Sequence, residues 1–168
     1  MAYALLILIM ALAIPHIVAQ GAAPLPTAAK EYLEAHNQAR AAVGVSPLKW
    51  SEELANAAGR VVRYQKNNMG CGLTKLHHKY QGNQVWTIFN KTMTPRMVVD
   101  RWVQEKQHYN YATNTCLSNH HTCNAYTLVV WRKSLELGCA QARCLKYGSS
   151  ITICLYNPIG NIPGERPY

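Results

Sequence analysis

Hydrophobic residues recur at helical spacing in three segments of this chain. The first segment predicts a helix over Ala28–Val43, with Thr27 as its N-cap and Gly44 just beyond its end. The second follows Ser51, whose hydroxyl is expected to cap it. The third begins at Thr94-Pro95, where threonine can cap the helix and proline suits its first position.

The C-terminal part has a different pattern, rich in β-branched and aromatic residues. It predicts strands at Tyr126–Arg132, Gly138–Leu145 and Ser150–Tyr156. Residues 70–93 show no clean period, and Pro158–Tyr168 is rich in proline and glycine and is expected to be irregular. Helices that precede an antiparallel sheet in sequence order favour the α+β class.

The N-terminus has a secretory pattern. The apolar run Ala2–Ile14 is too short to span a bilayer but has the length of a signal peptide core. We place cleavage after Ala19, so residues 1–19 are the expected signal peptide; a buried N-terminal helix is the alternative. No second apolar run of membrane-spanning length follows, so the chain is expected to be secreted and not membrane-spanning.

Secretion changes how the six cysteines are interpreted. An oxidising compartment favours three disulfides, for which sequence alone allows 15 connectivities. No Cys-x-x-Cys pair supports a zinc site. Asn90 opens an Asn-Lys-Thr sequon and is a candidate glycosylation site.

The chain is strongly basic, with 17 Lys+Arg against 8 Asp+Glu and a net charge of +9. Such a charge favours anionic surfaces. The basic residues are scattered, and secretion argues against nucleic acid as a partner. Weak binding to a cell wall is the simpler interpretation.

Several short motifs lie along the chain: Ala35–Arg40, Pro47–Trp50, Trp102–Lys106, Tyr109–Tyr111, Asn114–Cys116, Val129–Arg132, Leu137–Ala140 and the closing Pro158–Asn161 and Arg166–Tyr168. Together they resemble plant pathogenesis-related group 1 proteins of the CAP superfamily. The resemblance covers the whole mature chain. It implies a three-layer α-β-α sandwich with disulfides Cys71–Cys144, Cys116–Cys123 and Cys139–Cys154. The expected CAP domain covers residues 20–157.

The resemblance also implies a cleft with two His and two Glu, a set able to bind a divalent metal. In this chain the four positions are Lys75, Gly82, Glu105 and Ala125, so only one carboxylate remains. We therefore expect no metal and no other cofactor. Lys75 and Glu105 could form an ion pair instead.

A displaced metal site remains an alternative interpretation. It would combine Glu105 with nearby histidines, although exposed loop histidines are the simpler reading of these residues. The candidates are His77, His78, His120 and His121.

Catalytic signals are missing from the sequence. There is no Gly-x-Ser-x-Gly motif, every cysteine is expected in a disulfide, and Asp100 is the single aspartate. We therefore expect a protein that is not an enzyme; a hydrolase or metal-binding CAP protein is disfavoured by the lost tetrad.

An apolar segment follows the degenerate cleft positions. Val85, Trp86, Ile88 and Phe89 stand where relatives usually carry glycine and serine, and related proteins bind sterols through an apolar loop near here. These side chains could bind sterols or microbial membrane lipids, or they could fold into the core.

The combined prediction is a secreted defence-related protein of the apoplast or cell wall. We expect a monomer that acts against fungi and oomycetes by binding sterol, lipid or wall material. The alternative is a precursor whose C-terminal extension, residues 158–168, is released as a signalling peptide after Asn157. The tail matches the family pattern, but Leu155 departs from the processing signature that precedes the cut. The proline and glycine content is expected to keep the tail open to a protease.

Overall fold

The computed structural model describes residues 25–73, 76, 81–87, 93–117, 122–144 and 148–168. The predicted signal peptide therefore lies outside the described residues. Within these ranges, no helix is both long and apolar enough to cross a membrane.

Four helices and a 3-10 turn supply the helical layers. They are α1 (Thr27–Ala41), α2 (Glu52–Asn68), α3 (Pro95–Val103) with the 3-10 turn Gln104–His108 directly after it, and α4 (Asn124–Val129). Two predicted caps are confirmed: the hydroxyl oxygens of Ser51 and Thr94 accept hydrogen bonds from the backbone N–H of the third residue of α2 and of α3. The predicted cap at Thr27 is wrong, because Thr27 is already helical and Pro26 precedes it with no side-chain cap.

The main sheet has four strands in the order β1-β5-β6-β2. These are β1 (Lys49–Trp50), β2 (Gln81–Thr87), β5 (Glu136–Cys144) and β6 (Ser149–Asn157), while β3 (Tyr109–Asn110) and β4 (Thr115–Cys116) form a separate hairpin. β5 and β6 are antiparallel as predicted, and β2, which was not predicted as a strand, pairs antiparallel with β6. β1 pairs parallel with β5 and makes the sheet mixed. The long chain segment between β1 and β5 provides the crossover that a parallel pair requires.

The sheet separates two layers of helices, which confirms the α+β sandwich. Ile151, Ile153 and Leu155 of β6 point into a cluster with α2 on one face. On the other face, Tyr156 packs in a larger cluster with α1, α3 and α4 that includes Trp102. Residues 149–156 are all buried, as expected for a central strand covered on both faces.

The predicted strand Tyr126–Arg132 is wrong. Residues 124–129 form α4, followed by a turn. Tyr126, Leu128 and Val129 are all at most 2% exposed, so the segment is apolar around its whole circumference and shows no helical period. A short, uniformly buried run cannot be assigned to helix or strand from its pattern.

Three disulfides link the described elements, and they join the pairs that the family resemblance implies. Cys71–Cys144 ties the loop after α2 to the end of β5, and Cys139–Cys154 joins neighbouring residues of β5 and β6. Cys116–Cys123 closes the loop between β4 and α4. All six cysteines are paired, and each bridge stabilises the fold by restricting the unfolded chain.

Candidate functional site: a polar cleft beside the third helix

A cleft of about 430 Å³ opens between β2, α3, the 3-10 turn and the start of α4. Its apolar lining is Leu73, Val85, Trp86, Trp102 and Ala125. Its polar lining is Gln84, Arg101, Gln104, Glu105, Gln107 and His108. Arg101, Gln104, Glu105 and His108 are spaced at i, i+3, i+4 and i+7, so α3 and its continuation present them on one side.

Glu105 is the one carboxylate that lines this cleft, and it accepts hydrogen bonds from the backbone of α4. Its Oε2 accepts hydrogen bonds from the N–H groups of Ala125 at 2.9 Å and Tyr126 at 3.4 Å. Its Oε1 accepts from the Thr122 hydroxyl at 3.4 Å. These N–H groups are among the four that a helix start leaves without partners, and a negative charge there is favourable. Glu105 therefore acts as a remote cap of α4.

A chain of buried hydrogen bonds lies behind the cleft and joins α1 to β2 and α4. His36 Nδ1 donates to the Tyr32 carbonyl at 2.7 Å, so the neutral ring accepts at Nε2 from the Tyr156 hydroxyl at 2.8 Å. Asn83 Nδ2 donates to the Tyr156 hydroxyl at 3.2 Å and to the Ala125 carbonyl at 2.9 Å.

Burial sets the protonation states of His36 and Tyr156 in this series of hydrogen bonds. It lowers the pKa of His36 to about 4 and raises the pKa of Tyr156, so both stay neutral at ordinary pH. Nothing in the sequence pattern singled out Asn83 or Tyr156. Asn83 falls in a polar stretch without a period, and its long-range partners could not be predicted.

The predicted lipid-binding residues divide between core and surface. Val85 is 8% exposed and belongs to the core. Trp86 is 45% exposed on the edge strand β2 and lines the cleft. Ile88, Phe89 and the sequon residue Asn90 lie outside the described residues.

The C-terminal tail is irregular, as predicted, but it is packed rather than open. The Arg132 N–H donates to the Pro167 carbonyl at 2.7 Å, and Asn114 Nδ2 donates to the Glu165 carbonyl at 3.1 Å. Asn161 bridges to α4, accepting from Thr127 Oγ1 at 2.8 Å and donating to the Asn124 carbonyl at 2.9 Å. The expectation of an open tail is therefore wrong, because side chains and backbone of the domain bind it along its length.

The tail ends in an aromatic cluster. The Tyr168 ring stacks on Tyr111 with centroids 4.8 Å apart and an interplanar angle of 15°, and it meets Tyr109 and Tyr126 edge-on. The Tyr126 hydroxyl donates to the Tyr168 hydroxyl at 3.2 Å. Burial raises the pKa of Tyr126, so this hydroxyl stays protonated.

Comparison with known proteins identifies the family. Residues 33–156 match the model of the CAP, or cysteine-rich secretory protein, family. The chain belongs to this family.

Plant members of the CAP family are among its relatives. The chain is 49% identical to the STS14 protein of Solanum tuberosum over 84% of its own length and 65% of that protein's length. It is 42% identical to pathogenesis-related protein 1 of Arabidopsis thaliana, over 88% of this chain and 89% of that protein. The relatives confirm the resemblance to plant pathogenesis-related proteins.

Solved structures confirm the CAP fold. The venom allergen-like protein 4 of Schistosoma mansoni superposes with a TM-score of 0.62 over 86% of this chain and 95% of that one. The two sequences are 23% identical, so this likeness concerns the fold alone.

The residues at the CAP tetrad positions do not fit a metal ion. A Cβ atom at Gly82 would lie 2.3 Å from the Cys154 carbonyl oxygen, so β2 approaches β6 too closely for a side chain there. Ala125 carries no ligand atom, and Glu105 is bonded to α4. No group of three His, Cys, Asp or Glu side chains in the described residues could hold a metal.

The remaining candidate residues of a metal site lie outside the described residues. They are Lys75, whose ion pair with Glu105 stays a prediction, and the histidines of the displaced site, His77, His78, His120 and His121.

Proposed function

We propose that this CAP protein is a secreted, non-enzymatic defence-related protein that acts by binding sterol, lipid or wall material outside the cell. The observation that carries this proposal is the chemistry of the cleft. It is open and bears the partly exposed Trp86 ring, while its one carboxylate, Glu105, is bonded to the backbone of α4. A cleft built in this way can hold a ligand.

Two acid–base side chains in the described part of the chain are already engaged within the fold, which supports the binding role. A general base needs an accessible lone pair within hydrogen-bond reach of the nucleophile. Asp100, the single aspartate of the sequence, pairs with Arg96 at 3.5 Å on the surface of α3. His36, the buried histidine of α1, uses both ring nitrogens within the fold.

Lipid binding is tested with vesicles that contain or lack sterol. The indole of Trp86 can bury against an apolar ring system, at about 25 cal/mol per Å² removed from water. The proposal predicts that the mature protein sediments with sterol vesicles and that the Trp86→Ala, Phe89→Ala double variant loses most of this binding. Tyr64→Ala is the matched control, because Tyr64 is 58% exposed on α2, which does not line the cleft.

Wall binding is tested separately by retention on isolated, protein-free cell walls. The expected result is retention at low salt that weakens as salt rises, because the chain carries a net charge of +9. Failure in both the vesicle and the wall experiment would contradict the binding role.

The exposed junction before the tail favours a second candidate function, release of a C-terminal signalling peptide. Asn157 and Pro158 are both exposed, and no disulfide crosses the bond between them. Mass spectrometry of extracellular fluid from wounded tissue tests this candidate. An eleven-residue fragment beginning at Pro158 supports it, whereas persistence of the intact C-terminus alone contradicts it.

A further inference from the structure

We propose that the cleft beside α3 binds an acidic oligosaccharide, a short chain of uronic acid residues. The inference rests on the wall-binding half of the proposed function and assigns it a site and a ligand class. It depends on the juxtaposition of an exposed indole, a guanidinium that has no carboxylate at ion-pair distance among the described residues, and two amide side chains around one opening.

The indole of Trp86 supplies an apolar platform. A sugar ring has a C–H face, and packing that face on an aromatic ring removes apolar surface from water. Trp86 lies on the edge strand β2, is 45% exposed and lines the opening. A ring stacked there lies within reach of the polar side chains across the cleft.

Arg101 supplies the charge that selects a carboxylate. Within the described residues, no carboxylate lies at ion-pair distance from its guanidinium, although Arg96 on the same helix pairs with Asp100. A guanidinium can donate two parallel hydrogen bonds to a carboxylate, which gives both strength and orientation. The nearby carboxylate of Glu105 is bonded to the N–H groups at the start of α4, so its charge is partly compensated.

The remaining lining suits hydroxyl groups better than an apolar ligand. Gln104 and Gln107 line the cleft with amide groups, which can both donate hydrogen bonds to sugar hydroxyls and accept them. The volume of 430 Å³ falls within the range of roughly 300–1,000 Å³ found for small-ligand clefts.

The test measures binding of trigalacturonate to the full mature protein by titration calorimetry. Cellotriose serves as the neutral sugar of equal length, and citrate serves as a carboxylate without a sugar ring. We expect trigalacturonate to bind about tenfold more tightly than either, since a charge-assisted bidentate pair and the stacked ring act together. Equal binding of cellotriose or of citrate would overturn the assignment to a uronic acid chain.

Paired variants locate the site. Arg101→Gln and Trp86→Ala are each expected to weaken trigalacturonate binding by about tenfold. Their controls, Arg60→Gln and Tyr64→Ala, change exposed residues of α2, which does not line the cleft, and should leave binding within about twofold. An equal loss in Arg60→Gln would show attraction by net charge alone and would contradict the site.

The experiments distinguish the absence of an oligosaccharide site in the cleft from the absence of the wall binding on which this inference rests. Retention on isolated walls without trigalacturonate binding would overturn the site and leave wall binding intact. Circular dichroism of each variant checks that it is folded, because Trp86 and Arg101 are exposed side chains whose replacement leaves the core unchanged.

Discussion

Arg40 is a fully buried cation, and its partners are carbonyl groups rather than carboxylates. Its guanidinium donates to the carbonyls of Ser46 at 2.8 Å, Val129 at 3.2 Å, Trp131 at 2.8 Å and Ser134 at 2.9 Å. Burial lowers its pKa to about 10, so it remains charged at neutral pH. One side chain of α1 thereby fixes the turn after α4 and the loop after α1.

Replacing Arg40 with lysine is expected to destabilise the protein by about 3 kcal/mol or more. The ammonium cannot reproduce the planar fork, so at least two buried carbonyls lose their partner. Urea unfolding of Arg40→Lys measures the change, with the exposed Arg60→Lys as a control expected within about 0.5 kcal/mol. Equal stability of the two variants would show that the carbonyls find other donors.

His36 makes the stability of the fold depend on pH. Its pKa is about 4 in the folded protein because burial disfavours the charged ring, against about 6.5 unfolded. Between these values the unfolded chain binds the extra proton, so stability falls as the pH decreases and levels off below pH 4. From pH 7 to pH 5 we expect a loss of about 2 kcal/mol from this group.

The measurement compares urea unfolding of the wild type and of His36→Gln at both pH values. The glutamine variant is less stable at pH 7 but should lack about 2 kcal/mol of the pH-dependent loss. Identical pH profiles would show that another group carries the dependence.

At the scale of elements, the sequence was informative where one face of an element meets solvent. Three helices, two caps and the β5–β6 hairpin could be predicted, because the spacing of their hydrophobic residues or their capping residues can be recognised in the sequence. α4 could not be predicted, since Tyr126–Val129 are all buried and Glu105, which caps the helix, is 20 residues earlier. β2 could not be predicted either, because the polar stretch Gln81–Thr87 becomes a strand by pairing with β6.

The remote cap predicts a local effect of changing Glu105. Glu105→Ala removes the acceptor for the N–H groups of Ala125 and Tyr126 and is expected to cost about 1 kcal/mol. Glu105→Gln keeps one acceptor oxygen and should cost less. Hydrogen exchange by NMR should show faster exchange at these two amides in Glu105→Ala, and unchanged exchange there would contradict the capping role.

At the scale of the whole molecule, the tail joins parts of the chain that are distant in sequence. It binds the β3–β4 hairpin through Asn114 and Tyr111, α4 through Asn161, and the turn after α4 through Arg132 and Lys133. The Lys133–Glu165 ion pair of 2.8 Å is exposed, and such pairs add little stability. The tail is held mainly by aromatic packing and by hydrogen bonds that involve side chains.

At Gly160 the tail packs very closely on the domain, so a substitution there tests how the tail is bound. A Cβ atom there would lie 2.7 Å from Leu128 Cδ1 and from Trp131 Cγ, and both residues are buried in the core. We expect Gly160→Ala to push the tail away from α4, to lower stability by about 1–3 kcal/mol and to increase cleavage after Asn157 by an added protease. Ile159→Ala changes the neighbouring side chain, which is 41% exposed, and should leave stability within about 0.5 kcal/mol. Equal cleavage rates for Gly160→Ala and the wild type would show that packing of the tail on α4 does not control access to the junction. Any release of the peptide would then depend on the exposed residues around Asn157 alone.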